Sequence, residues 1–229
     1  MKFLKRITVI TGHYGSGKTE FAVSLSMQAL TIHEANKKTA LIDLDIVNPY
    51  FRSREQRELL ESKGISVYGS VYEEEIGAEL PALSADIRAP LENNGYNVII
   101  DTGGNDTGAL ILNQFTKYLT GNDTTILTIV NANRPDTGDI DGIITHMESI
   151  EKATGLTITH IVNNTHMLGE TTAADIRHGY DLCKKVSDIT KKPVLCSCYP
   201  DGIINPNELT ALKENIMPLG LYMRPTWLK

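Results

Sequence analysis

One short segment limits the fold of this chain more than any other. Residues 11–20 read TGHYGSGKTE and contain the complete pattern G-x-x-x-x-G-K-T from Gly12 to Thr19. The pattern follows an apolar, β-rich run and opens a segment with helical spacing, the context that separates a true phosphate loop from a chance match. Its glycines let the backbone curl so that successive N–H groups point at phosphate oxygens, and the helix adds its positive N-terminal end. We therefore expect a nucleotide to bind here.

The side chains of the loop have predictable roles. Lys18 is expected to reach the β- and γ-phosphates, and the Thr19 hydroxyl is expected to ligate Mg²⁺. The other residues predicted to line the nucleotide are Gly12, His13, Tyr14, Gly15, Ser16, Gly17 and Glu20. Nucleotide kinases, ligases, GTPases and partner-controlled ATPases all carry such a loop, so the loop alone does not define the reaction.

Strands and helices alternate along the whole chain. Apolar, β-rich runs predict strands at 6–11, 39–44, 65–69, 97–101, 124–130, 157–162 and 193–197. Helical patterns predict helices at 18–33, 52–63, 83–94, 106–120, 137–153, 172–189 and 206–216. Such alternation predicts a single three-layer α/β domain over residues 1–229, with a mostly parallel sheet and helices on both faces.

The composition argues against several classes of function. The net charge is −6, whereas nucleic acid and anionic membranes require basic surface, so we expect neither as a partner. The apolar run near the N-terminus is too short for a signal peptide, and no segment has the length of a membrane-spanning helix. We expect a cytoplasmic protein.

The three cysteines, Cys183, Cys196 and Cys198, are an odd number in a chain without an export signal, which predicts reduced thiols. Cys196 and Cys198 could give two ligands to a metal site shared between subunits. We favour a buried strand in which the small thiols pack, because a four-ligand site needs further partners.

Three aspartates follow predicted strands. Asp43 and Asp45 end the run ALIDLD, and Asp101 ends NVIID. The carboxyl ends of parallel strands lie beside the first loop, in the crevice where open α/β sheets bind ligands. Asp43 and Asp45 alternate with Leu44, so both are expected on one face of the strand. Each alone could be a helix cap or turn residue, but together they predict a site that positions Mg²⁺ and water.

The segment from Asp101 to Gly104 also fits the pattern D-x-x-G. A glycine amide at this position can sense a γ-phosphate, and such a loop orders when a triphosphate is present.

Five motifs together resemble a known family. GHYGSGKT, LIDLDIVNPYFRSR, VIIDTGG, HIVNN and PVLCSCYPD are similar in order and spacing to the MinD/ParA-type P-loop ATPases of the SIMIBI class, and the resemblance covers nearly the whole chain. It implies that Asp45 orients the attacking water in switch I and that Asp101 supports Mg²⁺ from switch II. It also implies that Asn163 contacts the base and that the loop Pro200-Asp201 lies against the edge of the base.

The chain departs from this family inside the phosphate loop. Family members usually have lysine in place of His13 and glycine in place of Tyr14, and that lysine contacts the nucleotide across a dimer. Its absence leaves open whether the chain forms the family's homodimer around nucleotide. Because histidine is charged only part of the time, we expect slow basal turnover, with activation by a partner or by Arg52 or Arg54 folding inward.

The preferred nucleotide base is predicted from the absence of two residues of the common guanine-binding motif. A common guanine site uses N-K-x-D, whose aspartate accepts hydrogen bonds from guanine N1 and N2. The corresponding stretch here is Asn163-Asn-Thr-His166, which lacks both the lysine and the aspartate. Adenine is therefore favoured.

The sequence thus predicts a Mg²⁺-dependent ATP-binding protein and slow switch-type ATPase, with Lys18, Asp45 and Asp101 as catalytic residues and a protein partner. Two alternatives stay open. One is a kinase or ligase that phosphorylates a small acceptor, with cations from Arg52, Arg54 or Arg134 and a pocket lined by residues 48–54. These arginines are equally consistent with a solvated helix start. The other alternative is a nucleotide sensor that does not hydrolyse its ligand.

Overall fold

Eight parallel strands form one sheet in the computed structural model, which describes residues 4–32, 37–45, 53–69, 85–212 and 215–224. The strands are β1 (Ile7–Gly12), β2 (Lys38–Asp43), β3 (Ile65–Gly69), β4 (Tyr96–Asp101), β5 (Thr124–Val130), β6 (His160–Asn163), β7 (Val194–Pro200) and β8 (Asn215–Leu219). Their order in the sheet is β3-β2-β4-β1-β5-β6-β7-β8, and every neighbouring pair is parallel. The predicted α/β fold with a parallel sheet is confirmed.

Helices cover both faces of the sheet. They are α1 (Lys18–Ile32), α2 (Arg57–Ser62), α3 (Arg88–Glu92), α4 (Asp106–Ala109), α5 (Thr116–Leu119), α6 (Ile140–Thr154) and α7 (Ala173–Thr190). Apolar residues of α1 and α2 pack in one core cluster, and those of α3 to α7 pack in another on the opposite side of the strands. Because the sheet is covered on both faces, its strands are apolar almost throughout, and all seven residues of β5 are buried.

The predicted inner face of the first helix is also confirmed. Ala22, Leu25 and Ala29 recur at helical spacing and all three are buried against the sheet. Packing of this face fixes the helix that begins at Lys18, and so fixes the end of the phosphate loop.

The C-terminal part of the fold differs from the prediction. Residues 206–216 were expected to form a helix, but in this range the described residues form a 3-10 turn at Pro206–Leu209 and the start of β8. The apolar stretch from Asn215 to Leu219 completes its backbone hydrogen bonds along the otherwise open edge of β7. Pro218 is tolerated because β8 is the last strand in the sheet, where one side of the backbone needs no ladder partner.

Three other predicted helices are shorter or interrupted. The segment 106–120 forms α4, a 3-10 stretch at Leu110–Phe115 and α5. Gly108 lies in this segment, and a Cβ there would be 2.8 Å from the Cα of Gly103. The segment therefore packs closely on the backbone of Gly103, and it does so as short helical pieces instead of one continuous helix. The described residues of segments 52–63 and 83–94 begin with 3-10 turns at Ser53–Gln56 and Ala85–Ile87, which are followed by α2 and α3.

Some predictions concern residues outside the described ranges. These are Arg52, the side chain of Arg54 and most of the proposed acceptor pocket at residues 48–54. All three cysteines are free and buried, which confirms that these thiols pack in the core. Among the described helices, none is both long enough and apolar enough to cross a membrane.

Candidate functional site

The turn between β1 and α1 has a backbone that favours glycine. The φ angles of Gly12, Gly15 and Gly17 are 143°, 74° and 85°. Space is limiting as well at Gly17, where a Cβ would lie 2.4 Å from Nδ2 of Asn164. The same Nδ2 donates a 2.7 Å hydrogen bond to the Ser16 carbonyl. The residue that follows β6 therefore holds the phosphate loop in its curled form.

Lys18 is buried at this turn. Its side chain is 6% exposed, and Nζ donates a 3.2 Å hydrogen bond to the carbonyl of His13. Burial lowers the pKa of Lys18, and the nearby carboxylates of Asp101 and Asp45 oppose that shift. A buried ammonium group that faces acidic side chains is placed to bind an anionic ligand.

Asp101 is fully buried beside Lys18. It is paired with Asp43 in the register between β4 and β2, so the two carboxylates lie on adjacent strands. Burial, and next the Asp43 carboxylate, raise the pKa of Asp101 well above its ordinary range, against the effects of Lys18 and Thr19. Among the described residues, neither carboxylate oxygen of Asp101 has a hydrogen-bond partner of normal geometry. A buried carboxylate without a hydrogen-bond donor is costly even beside Lys18, so this position favours a further donor or cation.

Asp43 and Asp45 have different positions. β2 ends at Asp43, and Oδ1 of Asp43 accepts a 3.0 Å hydrogen bond from the backbone N–H of Asp45. This bond fixes the turn that carries Asp45 into the cavity described below. Both carboxylates are close enough to raise the pKa of Asp101.

The described side chains offer Mg²⁺ only part of a ligand set. Within the described ranges, no group of three or more His, Cys, Asp or Glu side chains could hold a metal ion by itself. Mg²⁺ at nucleotide sites usually keeps several waters and takes one or two carboxylates together with phosphate oxygens. The unpaired Asp101 carboxylate and the neighbouring Thr19 hydroxyl fit that requirement.

The segment after β4 lies directly on the phosphate loop. A Cβ on Gly104 would be 2.8 Å from both Nζ of Lys18 and Cα of Tyr14. The Thr102 hydroxyl donates a 2.8 Å hydrogen bond to the carbonyl of Ile10 in β1. The backbone of the predicted D-x-x-G segment is therefore in contact with the glycine-rich loop between β1 and α1.

A cavity of about 740 Å³ opens beside the loop, a size typical of small-molecule sites. Its walls come from five places: residues 14–20 except Ser16, Asp45, the turn after β5 (Asn131, Asn133 and Arg134), residues 166–168 after β6, and the C-terminal pair Met223 and Arg224.

Glu20 connects two of these walls. Its carboxylate accepts hydrogen bonds from the backbone N–H groups of Tyr222, at 2.7 Å, and Met223, at 2.9 Å. Glu20 also lines the cavity, as predicted from its place after the loop. Its bonds fix the C-terminal turn against α1 and so build the wall opposite residues 166–168.

Asn163 has a structural role in place of the base contact that the family resemblance implies. It is fully buried, and its Nδ2 donates to the Ile176 carbonyl at 2.9 Å and to the Ser197 hydroxyl at 3.0 Å. Its Oδ1 accepts from the N–H of Thr165 at 3.2 Å. With both amide hydrogens engaged, Asn163 joins β6 to α7 and β7 and does not line the cavity.

The loop at Pro200 and Asp201 also stays outside the cavity lining. Pro200 pairs with Leu219 at the edge of the sheet, and the N–H of Asp201 donates a 2.9 Å hydrogen bond to the Leu219 carbonyl. These residues lie next to β8, whereas Met223 and Arg224 line the cavity.

His166 replaces the aspartate of a guanine site, and its tautomer follows from its contacts. The backbone N–H of Leu168 donates a 3.3 Å hydrogen bond to Nδ1, so in the neutral ring Nε2 carries the hydrogen. Burial, and next the charges of Arg224 and Arg134, lower the pKa of His166 to about 4. At neutral pH the ring is an uncharged donor, and its Nε2 has no partner among the described residues.

His13 points away from the cavity. Its Nδ1 donates a 3.1 Å hydrogen bond to the Tyr14 carbonyl, and its Nε2 lies 3.8 Å from Oδ2 of Asp136. Its ring meets the ring of His146 edge to face, with centroids 5.3 Å apart. Tyr14, in contrast, is 67% exposed and lines the cavity mouth.

The structure also resembles solved structures of known proteins. The cell division protein FtsY from Thermotoga maritima has a TM-score of 0.52 and 18% identity over 82% of this chain and 59% of its own. The signal recognition particle 54 kDa protein from Aeropyrum pernix, in complex with GDP, has a TM-score of 0.53 and 22% identity over 85% of this chain and 41% of its own. FtsY from Mycoplasma mycoides has a TM-score of 0.53 and 15% identity over 85% and 59%.

The chain has the fold of the P-loop NTPases. It spans less than two thirds of the length of each of these three structures, and identities this low establish the fold alone. No protein-family model matches the chain. No curated protein sequence matches it either.

Proposed function

We propose that this P-loop protein is a Mg²⁺-dependent ATP-binding protein and a slow, switch-type ATPase that acts with a protein partner. The observation that carries this proposal is the burial of Lys18 in a glycine-rich loop beside the unpaired carboxylate of Asp101. The phosphates of a bound triphosphate would pair with the Lys18 ammonium group, and its Mg²⁺ would pair with the Asp101 carboxylate.

Each group in the site then has a chemical role. Lys18 contacts the β- and γ-phosphates, where its charge offsets the negative charge that develops during phosphoryl transfer. Asp45, at the cavity wall, orients the attacking water. Thr19 and Asp101 would hold Mg²⁺, and the ion would supply positive charge to the phosphate oxygens. Gly104, in contact with the loop, is placed for a backbone N–H contact to the γ-phosphate that is lost after hydrolysis.

Adenine is proposed as the base because of the hydrogen bonds that the cavity offers. Guanine is read through its N1 and N2 hydrogens by an acceptor, usually aspartate. His166 presents an Nε2–H donor, since its Nδ1 accepts from Leu168. A donor suits the ring nitrogens of adenine and cannot accept from guanine N1 or N2.

Slow turnover follows from the position of His13. The family's lysine would place a permanent charge at this point of the loop, whereas the His13 ring faces Asp136 and His146. We therefore propose that full activity requires a further cation or a partner.

Equilibrium titration of ATP and GTP in Mg²⁺ tests this function. We expect ATP to bind more tightly than GTP, and Lys18→Ala to weaken ATP binding by about 10- to 100-fold through loss of a charge-assisted contact. Lys184→Ala, at an exposed lysine of α7, is the matched control and should bind like the parent. Unchanged ATP affinity in Lys18→Ala would contradict the proposed site, and tighter GTP binding would contradict the choice of base.

A further inference from the structure

Arg134 lies at the phosphate loop although it is far from it in sequence. It follows β5, the neighbour of β1, in a tightly bonded turn. The N–H of Arg134 donates to the Asn131 carbonyl at 3.1 Å, and the Thr137 hydroxyl donates to the same carbonyl at 2.9 Å. The backbone that carries Arg134 is therefore fixed relative to the loop.

The guanidinium itself is tethered to the loop. Its Nε donates a 2.9 Å hydrogen bond to the carbonyl of Gly15. A Cβ at Gly15 would lie only 3.1 Å from that Nε, so the absence of a side chain at Gly15 makes room for the contact. Within the described parts of the chain, the terminal nitrogens of Arg134 make no hydrogen bond or ion pair. They are the donors with which arginine binds phosphate in two-pronged fashion.

Two cations thus contact carbonyls of the same short loop. Lys18 bonds to the carbonyl of His13, and Arg134 bonds to that of Gly15, two residues later. Both line the same cavity. The Arg134 charge also acts on His166, whose Nε2 would lie 3.7 Å from a Cβ on Gly17 of the same loop, since it contributes to the lowered pKa of His166.

We propose that Arg134 is a phosphate-binding residue of the nucleotide site, supplied by the chain itself. This inference rests on the proposed function and deepens it. The terminal nitrogens of Arg134 contact phosphate oxygens of the bound nucleotide. The permanent charge of Arg134 gives the loop a cation that position 13, which has no lysine, does not provide. An arginine that merely lies at the surface would not affect phosphorylated ligands more than unphosphorylated ones. Binding measurements with both kinds of ligand can therefore distinguish a phosphate-binding role of Arg134 from a surface position without function.

Binding of ATP, ADP and adenosine to Arg134→Gln and Arg134→Lys tests this role. Glutamine removes the charge, and lysine keeps the charge but loses the planar fork. Arg134→Gln should bind ATP and ADP about 10-fold more weakly and adenosine like the parent, with Arg134→Lys between them. Arg177→Gln, at an exposed arginine that donates to the Glu208 carbonyl, is the matched control and should match the parent for all three ligands.

Three results would overturn the inference. One is parental ATP affinity in Arg134→Gln, and another is an equal loss for adenosine and ATP, which would mean that Arg134 shapes the cavity and does not contact phosphate. The third is absence of nucleotide binding in the parent. Lys18→Ala separates the claims: if it loses ATP binding while Arg134→Gln keeps it, the phosphate site stands and only the role of Arg134 fails.

Discussion

The side chains of the adjacent residues Asn163 and Asn164 point in opposite directions. Asn163 faces into the protein and joins β6 to α7 and β7, whereas Asn164 reaches out to the Ser16 carbonyl in the phosphate loop. The sequence singled out Asn163 of this pair, but which of the two side chains meets the phosphate loop depends on where β6 ends, because successive side chains leave opposite faces.

Replacing each amide by alanine should separate their roles. Asn163→Ala leaves buried partners unsatisfied, so its unfolding free energy should fall by about 2–4 kcal/mol, while the folded variant keeps its ATP affinity. Asn164→Ala frees the phosphate loop and should weaken ATP binding more than Asn163→Ala does. Urea denaturation and ATP titration measure both effects. Full stability with lost ATP affinity in Asn163→Ala would restore the base contact that the family resemblance implies.

Gly104 gives a second test at the scale of one residue. In Gly104→Ala the new methyl would lie 2.8 Å from Nζ of Lys18 and from the Tyr14 backbone, so the segment must move away from the loop. We expect weaker ATP binding, by about 10-fold, because Lys18 is displaced. Gly121→Ala is the matched control, since its nearest contact would be 4.0 Å away. Parental ATP affinity in both variants would mean that the D-x-x-G segment does not support the site.

At the scale of elements, α6 is coupled to the phosphate loop through His146. Its ring contacts that of His13, and its Nε2 has no hydrogen-bond partner among the described residues. Burial, and then the charges of His13 and Lys18, lower the pKa of His146 to about 4, against smaller effects of the Gly12 backbone and Asp106.

A lowered pKa in the folded state predicts a loss of stability in acid. Above about pH 6.5 the imidazole is neutral in both states, and from there towards pH 4 only the unfolded chain takes up the proton. The unfolding free energy of the parent relative to His146→Gln should therefore fall by on the order of 2–3 kcal/mol between pH 7 and pH 4. Urea denaturation across this range measures it, with His178→Gln at an exposed histidine of α7 as control. If the difference in unfolding free energy between parent and His146→Gln stays constant from pH 7 to pH 4, His146 takes up its proton as readily in the folded protein as in the unfolded chain.

Elements were predicted well where periodicity and burial agree, as in β1, β5 and α1. The failure at residues 206–216 has a physical cause: a stretch with helical spacing was overridden by an open sheet edge, to which β8 pairs. Such pairing cannot be inferred from the spacing of these residues alone, because it depends on the free edge that β7 presents in the assembled sheet.

For the molecule as a whole, the two sides of the site differ in how far sequence predicts them. Lys18, Asp45 and Asp101 lie close together in the structure, and sequence can anticipate this because the phosphate loop and the strand ends follow local rules. The cavity also includes Arg134, His166 and Met223, which lie in the turns after β5 and β6 and in the C-terminal turn held by Glu20. The sequence marks Arg134 and the stretch that ends at His166 as candidates, but no motif marks the turn with Met223, so only the packed structure brings that turn to the cavity.

Phosphate release from ATP by the parent and by Asp45→Asn tests the central claim most directly. The parent should release phosphate slowly and only with Mg²⁺, and Asp45→Asn should bind ATP normally but lose about 100-fold or more of the rate, because the attacking water is no longer oriented. Asp43→Asn is the informative comparison, since its carboxylate supports the turn of Asp45. Parental turnover in Asp45→Asn with loss in Asp43→Asn would mean that the two roles are reversed, and absence of Mg²⁺-dependent phosphate release from the parent would contradict the proposed ATPase.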